Sequence, residues 1–293
     1  MSVLADPLVV PSRVKGVFRF LLHSTRQQAV REKIERTLMP ESLLTTNRNM
    51  VKNTINECLN MKLLVKDDSG EKVGINPELP GAARSLETAE ALLPLTLTDL
   101  LFAEGNEKNH DLGLAIAWYL GQDAYDAPGD WERVSETLGQ TTFAKEIGLN
   151  NSNPWGQLIH WSSYLGFAWM HSVGGKAVLT PDPTAHLRRR LEQVFNGQLH
   201  SSLPLLSVLE SLAHLSPVFE GGALRKRVEQ VAGSRNASGE RRLSSVSALA
   251  WLRLNEEKTI ELQFKSDAPP VLFPDGERSQ QLTHVAWLES PKQ

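Results

Sequence analysis

Between residues 12 and 24 the chain reads SRVKGVFRFLLHS, and Val14, Val17, Phe18, Leu21 and Leu22 return at three- and four-residue spacing. That period predicts a helix with one apolar face, and Ser12 is placed to cap its start. The stretch 28–38, QAVREKIERTL, sets Val30, Ile34 and Leu38 on one helical face, and Met39-Pro40 closes it. A third helix is expected over 49–61, with Val51, Ile55, Cys58 and Leu59 as the buried stripe and Asn49, Lys52, Asn53 and Asn56 opposite. Leu63, Leu64 and Val65 then open a strand. Asp67 to Gly70 form the turn, and Lys72 to Ile75 return along it. Three helices followed by a hairpin make a winged helix-turn-helix, here spanning residues 1–80.

The pattern changes and then comes back. Residues 81–129 read as a helical linker segment of two apolar helices, the first interrupted or ended by Pro94, followed by the turn-rich loop QDAYDAPGD. From 130 to 198 the opening order recurs. DWERVSETLGQ and FAKEIGL form helices, then SNPWGQLIHWSSYLGF forms a third with Ser152 or Asn153 as cap and Pro154 at its first position. Strands FAWMHS and KAVLTP follow, joined across Val173-Gly174-Gly175, and residues 183–196 give a connecting helix. Residues 199–293 hold a third, degenerate winged-helix-like copy. Its helices are LPLLSVLESLAHL, ALRKRVEQVA and RRLSSVSALAWLRL, with strands in TIELQFK and around VLF and THVAWL. The expected fold class is mainly α with small β-hairpins, built as tandem winged helix-turn-helix domains.

Charge sharpens this reading. Net charge over the 293 residues is −3, which argues against a general coater of nucleic acid. Residues 1–80 carry 12 Lys+Arg against 9 Asp+Glu, whereas residues 81–145 carry 4 against 11, so the basic end coincides with the first winged helix. The single cysteine, Cys58, falls on the apolar side of its helix, so neither a disulfide within the chain nor a cysteine-built zinc site is expected. No apolar run approaches the ~18 residues a membrane helix needs, and no charged leader precedes one, which points to the cytoplasm.

The helix at 49–61 is the best candidate for contact chemistry. Arg48, Asn49, Lys52, Asn53 and Asn56 can face one major groove together, since Asn pairs with adenine and Arg or Lys with guanine or phosphate. Lys66 and Lys72 sit at the base of the wing, but its tip carries Asp67, Asp68 and Glu71, which phosphate repels. The alternative is an ordinary solvated helix face. In the second copy Trp155, Gln157, His160, Trp161, Ser163 and Tyr164 either stack on bases or pack a core, and the core is the commoner fate. In the third, Arg241 and Arg242 end the basic run SRNASGERR ahead of Ser244, Ser245 and Ser247, and either touch phosphate or form a solvated loop. Arg188-Arg189-Arg190 and Arg225-Lys226-Arg227 lie in helices and read as solvent-facing charge.

Catalysis finds no support. The eight histidines form no HExxH or HxH pattern, GGK at 174–176 lies in a hairpin rather than before a helix, and no GxSxG elbow occurs. No enzyme activity, metal or cofactor is expected. Two functions remain: a reader of duplex DNA, or a protein assembly subunit using winged helices as interaction modules.

The start ADPLVVPSRVKGVFRFLL together with MVKNTINECLNMKLL resembles the DpdG-like family over about the first 75 residues. That family comprises accessory proteins of bacterial gene clusters that insert 7-deazaguanine into DNA and restrict DNA lacking it. The resemblance implies a role in DNA modification, restriction or phage defence beside other proteins of the same system. It carries over no functional residues.

Overall fold

The computed structural model describes residues 2–40, 49–103, 105–106, 109–139, 142–232, 241–275 and 278–288. About half of the chain is helical and the sheets are small and antiparallel, as the periodicity predicts. Two compact units are present, residues 1–109 and 110–293.

The first unit runs α1 (Pro11–Leu22), β1 (Gln28–Val30), α2 (Arg31–Leu38), α3 (Met50–Asn60), β2 (Leu64–Lys66), β3 (Lys72–Ile75) and α4 (Ala89–Leu101). Its core joins Val14, Phe18 and Leu21 of α1 to Ile34 of α2 and to Val51, Ile55 and Cys58 of α3, all buried. Burial also pushes the Cys58 thiol far above its ordinary pKa, so it packs as a small apolar group.

Three expectations are corrected here. Helix α1 starts one residue earlier than expected, with Pro11 in its first turn and no side-chain cap from Ser12. Proline has no N–H to leave unpaired there and presets φ. The segment 28–30 is not helix but strand β1, which pairs with β3 (Gln28 opposite Gly74) and gives the sheet order β1-β3-β2. Arg26 and Gln27 take positive φ just before it, which stops any helix, and Val30 points outward while Ala29 is buried. Pro94 neither interrupts nor ends its helix: α4 runs through it. Burial of Leu93, Pro94, Leu95 and Leu97 outweighs the ~3 kcal/mol a helical proline costs.

The second unit holds α5 (His110–Leu120), α6 (Trp131–Leu138), α7 (Thr142–Glu146), α8 (Ser152–Leu165), β4 (Ala168–Val173), β5 (Lys176–Pro181) and α9 (Thr184–Val194). It continues with β6 (Ser202–Pro204), α10 (Leu205–Leu215), α11 (Ala223–Ala232), α12 (Ser245–Glu256), β7 (Ile260–Gln263), β8 (Val271–Asp275), β9 (Arg278–Leu282) and β10 (His284–Trp287). The cap of α8 is Asn151, whose side chain accepts from the Asn153 N–H, rather than Ser152 or Asn153. Proline 154 accordingly falls two residues inside the helix start, where an N–H has no intrahelical acceptor. Gly166 ends α8 in the left-handed region, and a Cβ there would meet the His186 backbone at 2.9 Å.

The order helix–strand–helix–helix–strand–strand recurs. In α9–β6–α10–α12–β7–β10 the sheet order is β6-β10-β7, matching β1-β3-β2, with α11 and the β8–β9 hairpin inserted. Lys62 and Lys258 take the same positive φ two residues past α3 and α12. Between these copies, α5–α6–α8–β4–β5 repeats the succession with the first strand reduced to one contact, the Leu179 N–H donating to the Gly129 carbonyl at 2.9 Å.

A buried polar cluster sits where α9 packs on α10. His186 is stacked 4.1 Å from Phe167. Its Nε2 lies 2.8 Å from Ser216 Oγ, and its Nδ1 lies 3.2 Å from the Leu165 carbonyl. Arg190, fully buried, donates to the same Ser216 Oγ. Burial first, and then the charge of Arg190, hold the His186 imidazole well below its ordinary value. The unfolded imidazole titrates near 6.5, so below that pH the unfolded chain takes up a proton that the fold refuses. The stabilisation is thus fully present above pH ~6.5 and falls by about 1.4 kcal/mol per pH unit below it. Urea titrations at pH 7.5 and 5.5 should show this loss, and His186→Gln should remove that share of the slope.

Candidate nucleic-acid interface

Helix α3 presents the face expected of a reader, but the fold already uses part of it. Asn49 and Lys52 are exposed, with side chains directed to solvent. Asn56 is also exposed, yet its Oδ1 accepts from Arg31 Nη2 at 2.9 Å, and the same nitrogen donates to the Lys52 carbonyl at 3.3 Å. Asn53 reaches back to Asp6, Nδ2 to Oδ2, at 3.4 Å. Arg48 lies outside the described residues. Among the described candidates on this helix, the structure leaves Asn49 and Lys52 free to contact a ligand and ties Asn53 and Asn56 to the fold.

Arg31 is the residue that helical periodicity missed. It starts α2, pairs with Glu35 at 2.8 Å and joins α2 to α3 through Asn56. Its signal was present in the sequence as an i, i+4 Arg–Glu pair. The buried stripe of α3 includes Thr54 and Glu57 beside Val51, Ile55 and Cys58, whereas Leu59 is only half-buried.

The β2–β3 hairpin places Lys66 and Lys72 in solvent at its base. Its acidic tip has an architectural reason. The Asp67 carboxylate accepts from the Lys72 N–H at 3.1 Å and from Ser69 Oγ at 2.9 Å, closing the turn. The backbone N–H of Lys72 is the main cause that holds the Asp67 carboxyl below its usual range. Asp68 and Glu71 are exposed beside it.

In the second unit the candidate contacts thin out. Trp155 and Trp161 are buried, with Trp155 edge-on to Tyr119 at 5.7 Å, and Tyr164 is half-buried, which leaves His160 as the exposed candidate on α8. Ser244 caps α12 by accepting from the Ser247 N–H, both hydroxyls are held by Glu220, and Ser245 Oγ accepts from the Ala124 N–H. The serines are structural. Arg241 and Arg242 are exposed, and their backbone is clamped to β8 by Leu272 N–H to Arg241 O at 2.7 Å and Leu243 N–H to Leu272 O at 3.1 Å. Residues 233–240 of the basic run lie outside the described residues.

The two arginine clusters are solvent-facing only in part: Lys226 and Arg227 are exposed, as expected, and Arg188 and Arg189 are half-buried. Arg190 and Arg225 are buried, Arg188 pairs with Glu257, Arg189 donates to the Leu165 carbonyl, and Arg227 pairs with Glu146 at 2.8 Å. Consecutive helical residues point ~100° apart, so one of each triplet falls inward.

Among the described residues, no group of three or more His, Cys, Asp and Glu is placed to hold a metal, and no helix is long and apolar enough to cross a membrane. An open groove of about 800 Å³ lies between α1, β1 and α2, where Arg19, His23 and Lys33 surround Phe20 and Val30. A family model described as DpdG-like matches residues 1–268. No curated relative and no solved structure matches the chain.

Proposed function

The chain belongs to the DpdG-like family, and on that premise we propose that it is a non-catalytic, DNA-contacting subunit of a bacterial 7-deazaguanine DNA modification and restriction system. In this reading the first unit is a winged helix, α3 enters the major groove, and β2–β3 is the wing. The observation that carries it is the succession α1–β1–α2–α3–β2–β3 with sheet order β1-β3-β2, combined with exposed Asn49 and Lys52 on α3 and Lys66 and Lys72 below the wing. Arg241 and Arg242 are secondary phosphate contacts. The protein works in the cytoplasm and needs no cofactor.

The acidic wing tip and the few free cations set a weak electrostatic footprint. Affinity for duplex DNA should therefore be modest and strongly salt-dependent. With about three or four phosphates neutralised, it should fall roughly 40- to 150-fold between 50 and 200 mM salt. Fluorescence anisotropy on a labelled duplex measures this, and no binding at 50 mM salt rejects the DNA reading. The second reading, an assembly subunit that contacts other proteins of the same system, is favoured by the open groove beside β1, which mixes apolar and cationic side chains at a sheet edge.

A further inference from the structure

Among the described residues strand β4 pairs with β5 alone, so its other edge carries no strand. The phase of that edge can be read from one contact. Leu179 uses its N–H on the outer side of β5, toward Gly129, so the pair Met170–Leu179 exchanges no ladder bonds. The N–H and C=O of Met170, and by the two-residue period those of Ser172, consequently point out of the free edge of β4.

This edge lacks the usual protection. AWMHSV holds no charge and no proline, the devices that keep edges from pairing. It also exposes apolar bulk: Trp169 is 61% exposed, Met170 44% and Val173 59%. Trp169 stacks on His171 at 4.8 Å, and His171 Nδ1 is shielded from solvent without a hydrogen-bond partner. A two-stranded ribbon is marginal by itself and gains from further strands.

We propose that the β4 edge is a self-association surface, occupied by β4 of a second copy of this chain in antiparallel register centred on His171. Antiparallel parity allows a two-fold axis only through a residue, never between two. Centring on His171 sets Met170 opposite Ser172 of the second copy as a hydrogen-bonded pair, twice, for four backbone bonds. It also sets Trp169 opposite Val173 twice, an aromatic–β-branched pairing that stabilises sheets. The result is a four-stranded sheet, β5-β4-β4-β5. The two His171 side chains become a close non-hydrogen-bonded pair, which brings each orphaned Nδ1 near a polar neighbour.

The full chain should sediment as a dimer at tens of micromolar. Met170→Pro removes an edge N–H that β5 does not use, and should raise the dissociation constant roughly tenfold or more with little change in melting temperature. Because that variant can also fail to fold, a second one probes the register. In His171→Cys the new thiols sit at disulfide distance, and mild oxidation should give a covalent dimer on a non-reducing gel. Native Cys58 is buried and contributes no background, and Lys176→Cys, on the strand facing away, should cross-link no more than wild type. A monomer at 100 µM, a dimer indifferent to Met170→Pro, or a dimer in which His171→Cys gives no disulfide overturns the proposal.

Discussion

Alanine at Arg48, Asn49 and Lys52 together is expected to weaken duplex DNA binding by roughly a hundredfold or more, enough to abolish a gel shift at 50 mM salt, while leaving the melting temperature nearly unchanged. A base-edge contact contributes about 1–3 kcal/mol and each lysine–phosphate contact adds about one unit to the salt slope. Asn49, just before α3, and Lys52 on it face solvent, so truncating their side chains removes little from the fold. Asn53→Ala and Asn56→Ala form the contrast. They break the contacts to Asp6 and Arg31, so their first effect falls on how α3 is seated against the N-terminal segment and α2. A triple variant that still shifts DNA removes α3 as the reader and leaves the assembly function standing.

The largest stability effect is expected at Arg225. Arg225 is 3% exposed, and its guanidinium donates from Nη1 to the Ala117 carbonyl in the last turn of α5 at 3.0 Å. It pairs with Glu229 at 2.7 Å and lies 4.0 Å from Glu220, whose carboxylate in turn holds Ser244 and Ser247 at the start of α12. Gly121 leaves the space it needs, since a Cβ there would sit 3.0 Å from Arg225 Nη1. Three helices thus meet through one side chain. Arg225→Ala opens a cavity and strands buried polar groups, for a loss of about 3–5 kcal/mol. In a unit of this size that is roughly a 10 °C fall in melting temperature, read by calorimetry. Arg225→Lys should recover little, because a single ammonium cannot span Ala117 and both carboxylates. A loss below ~1 kcal/mol for the alanine variant rejects this network as a support of the second unit.

Much of the architecture was legible in the sequence, and the failures have a common cause. Hairpins announced themselves through turn chemistry at Asp67–Gly70 and Gly174–Gly175, and α3 through its apolar stripe. Strand β1 was hidden because three residues are too few to display a period of two, and because Val30, Ile34 and Leu38 mimic a helical face across the strand–helix junction. Pro94 misled because local cost was read without the burial that offsets it. Among the site residues, exposure of Asn49, Lys52, Lys66 and Lys72 followed from helix and hairpin geometry. The engagement of Asn53 and Asn56 did not, since it depends on Asp6 and Arg31, which lie far away in sequence. Burial of Arg190 and Arg225 was likewise invisible, because a lone triplet of cations does not reveal which member turns inward.

The sheet order β6-β10-β7 has a consequence for how the second unit comes into being. β10 is its middle strand, pairing with β6 on one side and β7 on the other, yet it is the last of the three to leave the ribosome. Until it emerges, β6 and β7 have no common neighbour and their ladder groups wait in water or on a chaperone. The N-terminal sheet completes within its first 75 residues, so the two units mature on different schedules during synthesis. A nascent chain halted ahead of His284 would carry a finished first unit and an unfinished second one.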